Sequence, residues 1–259
     1  MSGLGSLTGM DDATLRSRLW DGFARLQVVL GRHAMQGAVL DRPGVVASVV
    51  PAAPDSPTLN AAVALDPEEA VRHLAEIAER WRAAGIRRWG VWLDGSAGRT
   101  TRALRNAGLT LTASSPGMGA ALDTLPVYSV DGRVPQADLH TVGRVNDLAY
   151  GNPDQRLERT LTPLPRGVLR GFRADLEGAP AAVALAMHHG EDCGVSFVAT
   201  VPAARRKGLA SLVMQGALDD ARAHGCTSTT LQATEVGLRL YDSLGFRRLC
   251  DMQLWEQRA

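Results

Sequence analysis

Apolar residues recur at helical spacing in three long stretches of the chain. The first begins near residue 11, the second follows Asp66 and Pro67, and the third follows Gly208. An aspartate before a proline is a common helix start, and steps of three and four residues place the apolar side chains on one face. These stretches therefore predict three amphipathic helices that pack on a core.

Shorter runs rich in β-branched residues separate these helices and predict strands. The predicted strands lie at 45–50, 58–65, 88–93, 127–130, 168–176, 179–189, 193–201, 227–233 and 246–256, with two further apolar runs near Leu109 and Met118. Further helices are predicted at 99–106, at 135–150 and from Thr234 to Gly245, and a loop is predicted at 151–166. This alternation favours an α/β fold of the α+β kind with a mixed sheet.

A basic turn lies between the strand at 193–201 and the third helix. It holds three successive cations and Gly208, whose missing Cβ lets a ligand approach the backbone. The first turn of a helix has unpaired N–H groups and partial positive charge, so this turn suits an anion such as a diphosphate. The alternative is a solvated basic turn ahead of a surface helix.

Two motifs, one at this turn and one further along the chain, resemble those of the GNAT superfamily of acyl-CoA N-acyltransferases. Thr200-x-Pro202 followed by Arg205-x-x-Gly208-x-Ala210 is similar to the superfamily's pyrophosphate loop, Arg/Gln-x-x-Gly-x-Gly/Ala. Leu240-Tyr241-x-x-Leu244-Gly245-Phe246 is similar to its Leu-Tyr-x-x-Leu-Gly-Phe ending. The two motifs stand in the expected order, one helix and one strand apart. The resemblance implies a GNAT fold with acetyl-CoA as the acyl donor and no metal ion.

The resemblance also implies which residues bind acetyl-CoA. In the superfamily, the pantetheine arm pairs like an extra strand with the backbone before the loop, which implies Ala199 and Val201 in this sequence. The diphosphate then lies on the loop and the first helical turn. The cofactor-binding residues implied in this way are Ala199, Thr200, Val201, Arg205, Arg206, Lys207, Gly208, Leu209, Ala210 and Ser211.

Tyr241 matches the tyrosine that often protonates the departing thiolate in the superfamily. A tyrosine with an ordinary pKa of about 10 is protonated at neutral pH and can donate; the alternative is that Tyr241 only packs in the core. The general base is not identified. Water is one candidate, and the side-chain candidates are His188, His189, Glu191, Asp192 and Glu235. Cys193 and Cys226 have no histidine at a recognisable partner spacing and are interpreted as small core residues.

The sequence divides into a flexible tail, 1–10, and two units, 11–125 and 126–259, of which the second resembles one complete GNAT domain. In the first unit, Leu104-x-x-Ala107-Gly108-Leu109 resembles the Leu-Gly-Phe ending, but no Arg-x-x-Gly-x-Gly/Ala loop occurs between 61 and 83. The first unit is therefore interpreted as a degenerate GNAT-like half that cannot hold acyl-CoA. An unrelated small α/β domain is the alternative.

Composition limits the partners and the compartment. The formal net charge of +1 argues against a general nucleic-acid binder, because recognition of the phosphate backbone needs a marked basic excess. Three cysteines without C-x-x-C spacing indicate neither a disulfide framework nor a structural zinc site. No apolar stretch approaches the about 20 residues of a membrane span, and no signal-peptide pattern is present. These features predict a cytoplasmic monomer or homodimer with no membrane partner.

The predicted function is that of an N-acetyltransferase, which moves an acetyl group from acetyl-CoA directly to a primary amine of a small molecule or peptide. Two alternatives stay open. One is a non-catalytic acyl-CoA-binding sensor, which would tolerate the loss of Tyr241; the other is a tandem-domain biosynthetic acetyltransferase specific for one metabolite. A P-loop nucleotidase is disfavoured because Gly-x-x-x-x-Gly-Lys-Ser/Thr is absent.

Overall fold

A single mixed sheet joins the two halves of the chain. Residues 10–127 and 134–257, which the computed structural model describes, contain eleven strands and seven α-helices. The helices are α1 Asp12–His33, α2 Pro67–Ala83, α3 Gly98–Asn106, α4 Leu139–Tyr150, α5 Arg156–Leu161, α6 Leu209–Ala223 and α7 Leu238–Leu244. The strands are β1 Ala38–Arg42, β2 Val45–Val49, β3 Ala61–Ala64, β4 Trp89–Asp94, β5 Leu109–Ala121, β6 Gln136–Ala137, β7 Arg170–Leu176, β8 Ala179–His189, β9 Asp192–Thr200, β10 Ser228–Gln232 and β11 Arg247–Gln257. The predicted α/β class with a mixed sheet is confirmed.

The two halves repeat one order of elements. Three antiparallel strands lead into a helix and a parallel fourth strand, as β1, β2, β3, α2 and β4 in the first half and as β7, β8, β9, α6 and β10 in the second. A second helix and a last strand then follow in each half, namely α3 and β5 in the first and α7 and β11 in the second.

The last strands of the two halves are exchanged. The sheet order is β1-β2-β3-β4-β11-β5-β10-β9-β8-β7-β6, so β11 lies against β4 of the first half and β5 lies against β10 of the second. Both contacts are antiparallel, and β5 and β11 also pair with each other. The hydrogen bonding of each half is therefore completed by a strand of the other half. The division into units at residue 125 stays a prediction.

Aspartates begin three of the helices, as the sequence pattern indicates for the second of them. Asp11 accepts a hydrogen bond from the Thr14 amide at 2.7 Å, and Asp138 accepts one from the Thr141 amide at 2.7 Å. Asp66 accepts from the two amides that follow Pro67. Each carboxylate satisfies N–H groups that have no partner inside the helix, and such a cap stabilises the helix start.

Helices cover both faces of the sheet around β8 and β9. Leu26 and Leu30 of α1 pack in one apolar cluster with Val183 and Leu185 of β8. Alternate residues of β8, such as Ala184, pack instead with α6. Because successive side chains of a strand point to opposite faces, α1 and α6 lie on opposite sides of the sheet. α1 also contacts β2, β3, β5 and β11, so it spans the junction of the two halves.

The structure corrects several predicted elements. The predicted helix at 135–150 starts at Leu139, because Gln136–Ala137 pairs with β7 as β6. The last predicted helix starts at Leu238, and Thr234 is one turn away from it, with its hydroxyl accepting from the Gly237 amide. The apolar runs near Leu109 and Met118 form the one long strand β5, and β1 was not predicted at all.

The predicted loop at 151–166 contains the helix α5. Its first amides are capped from outside the segment: the carboxylate of Asp147, in α4, accepts from Leu157 at 3.1 Å and from Glu158 at 2.9 Å. A cap so far back along the chain leaves no local pattern in the sequence.

Two predictions fall wholly or mainly outside the described residues: the tail at 1–10 and the strand at 127–130 with its following turn. Within the described ranges, no helix is both long and apolar enough to cross a membrane.

Candidate active site

A cleft opens between β9 and β10 where their pairing ends. The last parallel pair joins Val195 to Leu231. Beyond it, β9 continues along β8 through an irregular ladder, in which Phe197 has a left-handed φ of 51°. Among the described strands, none pairs with the other edge of β9 from Ser196 onward. This edge therefore faces the cleft with its backbone groups.

Alternation along β9 decides which backbone groups point into the cleft. The amide of Val201 donates to the carbonyl of Ala181 at 2.9 Å, and Ala199 pairs with Val183 in the same ladder. Since alternate residues of an antiparallel strand bond to the same neighbour, Thr200 turns its groups the other way, while Val198 lies in the irregular step of the ladder between Ser196 and Ala199 and borders the cleft. The strand-like pairing expected at Ala199 and Val201 therefore fits Val198 and Thr200 better.

The basic turn presents a row of unpaired amides at the start of α6. Gly208 is the N-cap residue with φ 79°, and Arg206 has φ 62°. Across the ranges that the structure describes, none of the six amides from 206 to 211 donates a hydrogen bond to the protein. Arg206 and Lys207 are exposed beside them. Together these groups form an anion-binding arrangement of the size of a phosphate.

Arg205 has a structural role in this turn. Its Nε donates to the carbonyl of Thr200 at 3.2 Å, and its Nη2 donates to the carbonyl of Ala149 at 2.9 Å. The guanidinium therefore ties the end of α4 to the end of β9. Of the three cations in the turn, Arg206 and Lys207 remain for a ligand.

The corresponding position in the first half is closed to an anion. β3 leads into α2 through Leu65 and Asp66 alone. The Asp66 carboxylate occupies the first amides of α2, and Glu68 and Glu69 add negative charge there. The interpretation of the first half as a degenerate copy without acyl-CoA stays a prediction.

A cavity of about 510 Å³ extends from the cleft to the first half. Its volume lies in the ordinary range for small-molecule sites. Val198 and Tyr241 line it from the second half, and Phe23 and Trp92 line it from the first. The rings of Phe23 and Trp92 meet edge to face, with their centroids 5.5 Å apart. Both halves therefore build one site, which the sequence motifs placed in the second half only.

Tyr241 belongs both to the core and to this cavity. Only 6% of the residue is exposed, and its ring packs against Phe246 with centroids 5.9 Å apart. Burial raises the pKa of Tyr241 well above its ordinary value of 10.0, and the neighbouring Tyr150 raises it further. The hydroxyl is therefore protonated at neutral pH, so the side chain can act as a proton donor while it packs in the core.

The candidate bases lie away from the cavity wall. His188 faces Asp220 of α6, with its Nε2 3.3 Å from the carboxylate, and Glu191 pairs with Arg18 at 2.7 Å. None of the five side chains proposed from the sequence lines the cavity in the described part of the chain. Water therefore stands as the simplest acceptor of the amine proton.

His189 and Asp192 form a buried pair behind the cavity. The His189 Nε2 lies 3.2 Å from Oδ2 of Asp192, and Gly22 of α1 packs against the imidazole. The Thr230 hydroxyl, at the cavity wall, donates to the same Oδ2 at 2.6 Å. Asp192 is thus one hydrogen bond away from the cavity, where it anchors the wall.

One cluster has the composition of a metal site. The ligand atoms of His188, Asp220 and His224 lie within 4.8 Å of one another. The guanidinium of Arg170 already contacts both oxygens of Asp220, with Nη2 2.6 Å from Oδ1. A cation would compete with this guanidinium, so the carboxylate is poorly placed as a ligand. The cluster lies on the α6 side of the sheet, outside the cavity lining.

The cysteines lie in apolar surroundings. Cys193 and Cys226 belong to the core under α6. Burial raises the pKa of the Cys193 thiol well above its ordinary value, and burial also raises that of Cys226. Neither thiol is ionised at neutral pH, which disfavours a covalent acyl-enzyme.

Comparisons with known proteins show what this chain resembles in sequence and in fold. Residues 146–246 match the sequence model of the family described as Acetyltransferase (GNAT) family. A GCN5-related N-acetyltransferase from Kribbella flavida shares the fold over 94% of this chain and 95% of its own, with a TM-score of 0.67 and 19% identity. No curated protein sequence matches the chain.

Two further solved structures share the fold. A GCN5-related N-acetyltransferase from Sphaerobacter thermophilus covers 84% of this chain and 81% of its own, with a TM-score of 0.56 and 13% identity. A tandem GNAT protein from the clavulanic acid biosynthesis pathway covers 82% and 77%, with a TM-score of 0.55 and 14% identity. At these identities the likeness concerns the fold alone.

Proposed function

We propose that the protein transfers the acetyl group of acetyl-CoA to a primary amine of a small molecule, since residues 146–246 match the sequence model of the GNAT acetyltransferase family. The observation that carries this proposal is the cleft between β9 and β10. β9, which bounds the cleft, leads through the basic turn to the unpaired amides at the start of α6, and Tyr241 lines the cavity into which the cleft opens. One strand thus connects the anion-binding turn to the cavity that holds a protonated acid.

Each side chain or backbone group has a distinct role in this proposal. The amides of residues 206–211, with Arg206 and Lys207, hold the diphosphate, because hydrogen bonds to charged groups contribute about 1.5 to 3 kcal/mol each. The backbone of Val198 and the amide of Thr200 hold the pantetheine arm, while the Thr200 carbonyl accepts from Arg205. The Val198 amide also stabilises negative charge on the acetyl oxygen, and Tyr241 gives a proton to the departing sulfur.

Acetyl-CoA supplies a thioester: the amine nitrogen bonds to the acetyl carbon, the carbon–sulfur bond breaks, the sulfur gains a proton and the amine releases its proton to water. The row of six free amides, the neighbouring cations and the open edge of β9 fit such a donor. The protein itself binds the two substrates side by side and excludes competing water.

In this proposal the first half contributes the side of the cavity that contacts the acceptor amine. Phe23 and Trp92 line the same cavity as Tyr241, and the two halves repeat one order of strands and helices. This supports the view of the first half as a degenerate GNAT-like copy that has lost its cofactor loop. It also favours a tandem enzyme whose specificity for one acceptor depends on both halves.

Calorimetry with acetyl-CoA tests the donor assignment directly. We expect one binding site per chain and release of free thiol when a suitable amine is added. The absence of detectable binding at millimolar acetyl-CoA would refute the assignment. Tight binding without thiol release from any amine would instead support the sensor.

Gly208→Val is expected to weaken acetyl-CoA binding about 10- to 100-fold, since a side chain there blocks one or two charge-assisted hydrogen bonds. Gly225→Val is a matched control: Gly208 and Gly225 bound opposite ends of α6, their φ angles are 79° and 78°, and an added Cβ at either meets nothing within 4 Å. Both variants should lose similar stability from the left-handed backbone, about 1 to 2 kcal/mol. Equal loss of binding in the two variants would contradict the loop assignment.

A further inference from the structure

The acceptor end of the cavity is apolar and aromatic on the side of the first half. Leu19, Phe23 and Leu26 of α1 line it together with Trp92 of β4. Trp92 is 3% exposed, and its indole N–H has no hydrogen-bond partner within the described residues. This wall suits a compact apolar group, and burial of such a group on aromatic rings is favourable.

Arg156 is the only charged side chain among the described residues that line the cavity. Its Nε lies 3.3 Å from Asp154, and its terminal nitrogens donate no hydrogen bond to the residues that the structure describes. The side chain is 29% exposed. The described wall thus offers one positive charge with unused donors and no carboxylate. A diamine or polyamine acceptor would have no counter-charge there for its second ammonium group.

Arg156 lies near a loop of the first half. The pKa of Asp55, in the loop before β3, is held below its ordinary value first by its hydrogen bond to Arg87 and in smaller part by the charge of Arg156. Ser56 and Thr58 of the same loop line the cavity. The basic turn instead contacts the end of α4 through Arg205. We therefore expect Arg156 to face the acceptor, where a carboxylate is its natural partner.

Asn146 adds an unused amide to the same wall. The residue is 6% exposed, it lines the cavity, and its side chain makes no hydrogen bond within the parts of the chain that are described. Among the described residues, its amide atoms do not count as buried atoms without a partner, so they are open to the cavity and free to bond to an occupant. Its oxygen accepts and its nitrogen donates, which suits an amine next to a carboxylate.

We infer that the acceptor is an amino acid with an apolar side chain, or a close relative that bears a primary amine and a carboxylate on an apolar skeleton. The inference rests on the proposed N-acetyltransferase function. Arg156 binds the carboxylate, Asn146 bonds to the polar end of the molecule, and the Phe23 and Trp92 rings hold the apolar group.

The test compares amino acids with amines that differ only by the carboxylate. The four pairs are leucine with isopentylamine, methionine with 3-(methylthio)propylamine, phenylalanine with 2-phenylethylamine, and tryptophan with tryptamine. Spermidine is added as a polycationic acceptor. With acetyl-CoA, release of free thiol gives kcat and KM, and calorimetry in the presence of CoA gives acceptor affinity. We expect at least one amino acid to exceed its paired amine about 10- to 100-fold in kcat/KM, the worth of a charge-assisted pair.

Variants locate this preference. Arg156→Gln should remove it by raising KM for the amino acid, while the paired amine and the KM for acetyl-CoA change by no more than about twofold. Arg159→Gln, on the exposed side of the same helix, should keep the preference. Asn146→Ala should weaken binding of both members of a pair.

The outcomes separate this inference from the function on which it rests. Amines or spermidine as the best acceptors would overturn it, as would acetyl-CoA binding with no amino acid acetylated. A raised KM for acetyl-CoA in Arg156→Gln, with acceptor affinity unchanged, would place Arg156 on a donor phosphate and also overturn it. Failure of acetyl-CoA to bind would refute the proposed function itself, and the acceptor class with it.

Discussion

Residues 126–259 produced alone are expected not to fold, although they contain both the pyrophosphate-loop motif and the Leu-Tyr-x-x-Leu-Gly-Phe motif. Without the first half, β10 would lose its five paired positions with β5, and β11 would lose its ten paired positions with β5. β11 would also lose β4 along six. Met252 and Trp255, at 0% and 2% exposed, would then face water. We expect aggregation of this fragment, measured by size-exclusion chromatography and circular dichroism, because open apolar strand edges self-associate.

A cut chain provides the control for this experiment. A protease site inserted between 127 and 134 divides the chain without interrupting any described strand. The two pieces should stay together after cleavage and keep most of their stability. Coexpression of the pieces should likewise restore a soluble complex. A folded monomer of 126–259 by itself would show that the exchanged strands are dispensable.

Tyr241→Phe is expected to lower kcat about 100-fold, the lower end of the effect of a general acid. The Phe ring keeps the packing against Phe246, so the melting temperature and the affinity for acetyl-CoA should change little. Because burial raises the pKa of Tyr241 above 10.0, the wild-type kcat should not decline through this group between about pH 7 and 9. Steady-state and single-turnover rates measure both expectations.

A second tyrosine makes this prediction discriminating. Tyr150 also lines the cavity, and about half of it is exposed. If Tyr150→Phe caused the larger loss of kcat, the proton donor would be reassigned to that residue. If neither substitution changed kcat, the leaving sulfur would take its proton from water and Tyr241 would be a core residue only.

Elements with their signals inside a few neighbouring residues were predictable from the sequence. Asp66 and Pro67 predict the start of α2, and Gly208 with the apolar spacing after it predicts the start of α6. Glu177 and Gly178 announce the turn between β7 and β8. In each case the residues that set the backbone also stand at the point where the chain turns, so no distant contact was required.

The rest depends on partners far away in the chain. The α5 helix needs the carboxylate of Asp147, and the one-residue shift from Ala199 to Val198 needs the register of β9 against β8. Arg156 lies in the segment 151–166, whose sequence pattern predicts a loop and does not single out this residue. The aromatic wall depends on which strands the sheet brings together, which no local pattern encodes.

The exchanged strands also determine when the protein can finish folding during its synthesis. β4 ends at Asp94, but its neighbour β11 begins only at Arg247, so the first half emerges from the ribosome with one edge unfilled. Until the second half follows, that edge is open to other nascent chains. Contacts of such long sequence separation close slowly. The first domain to be translated is thus among the last to be completed, and the yield of active protein should depend on chaperones that shield it in the interval.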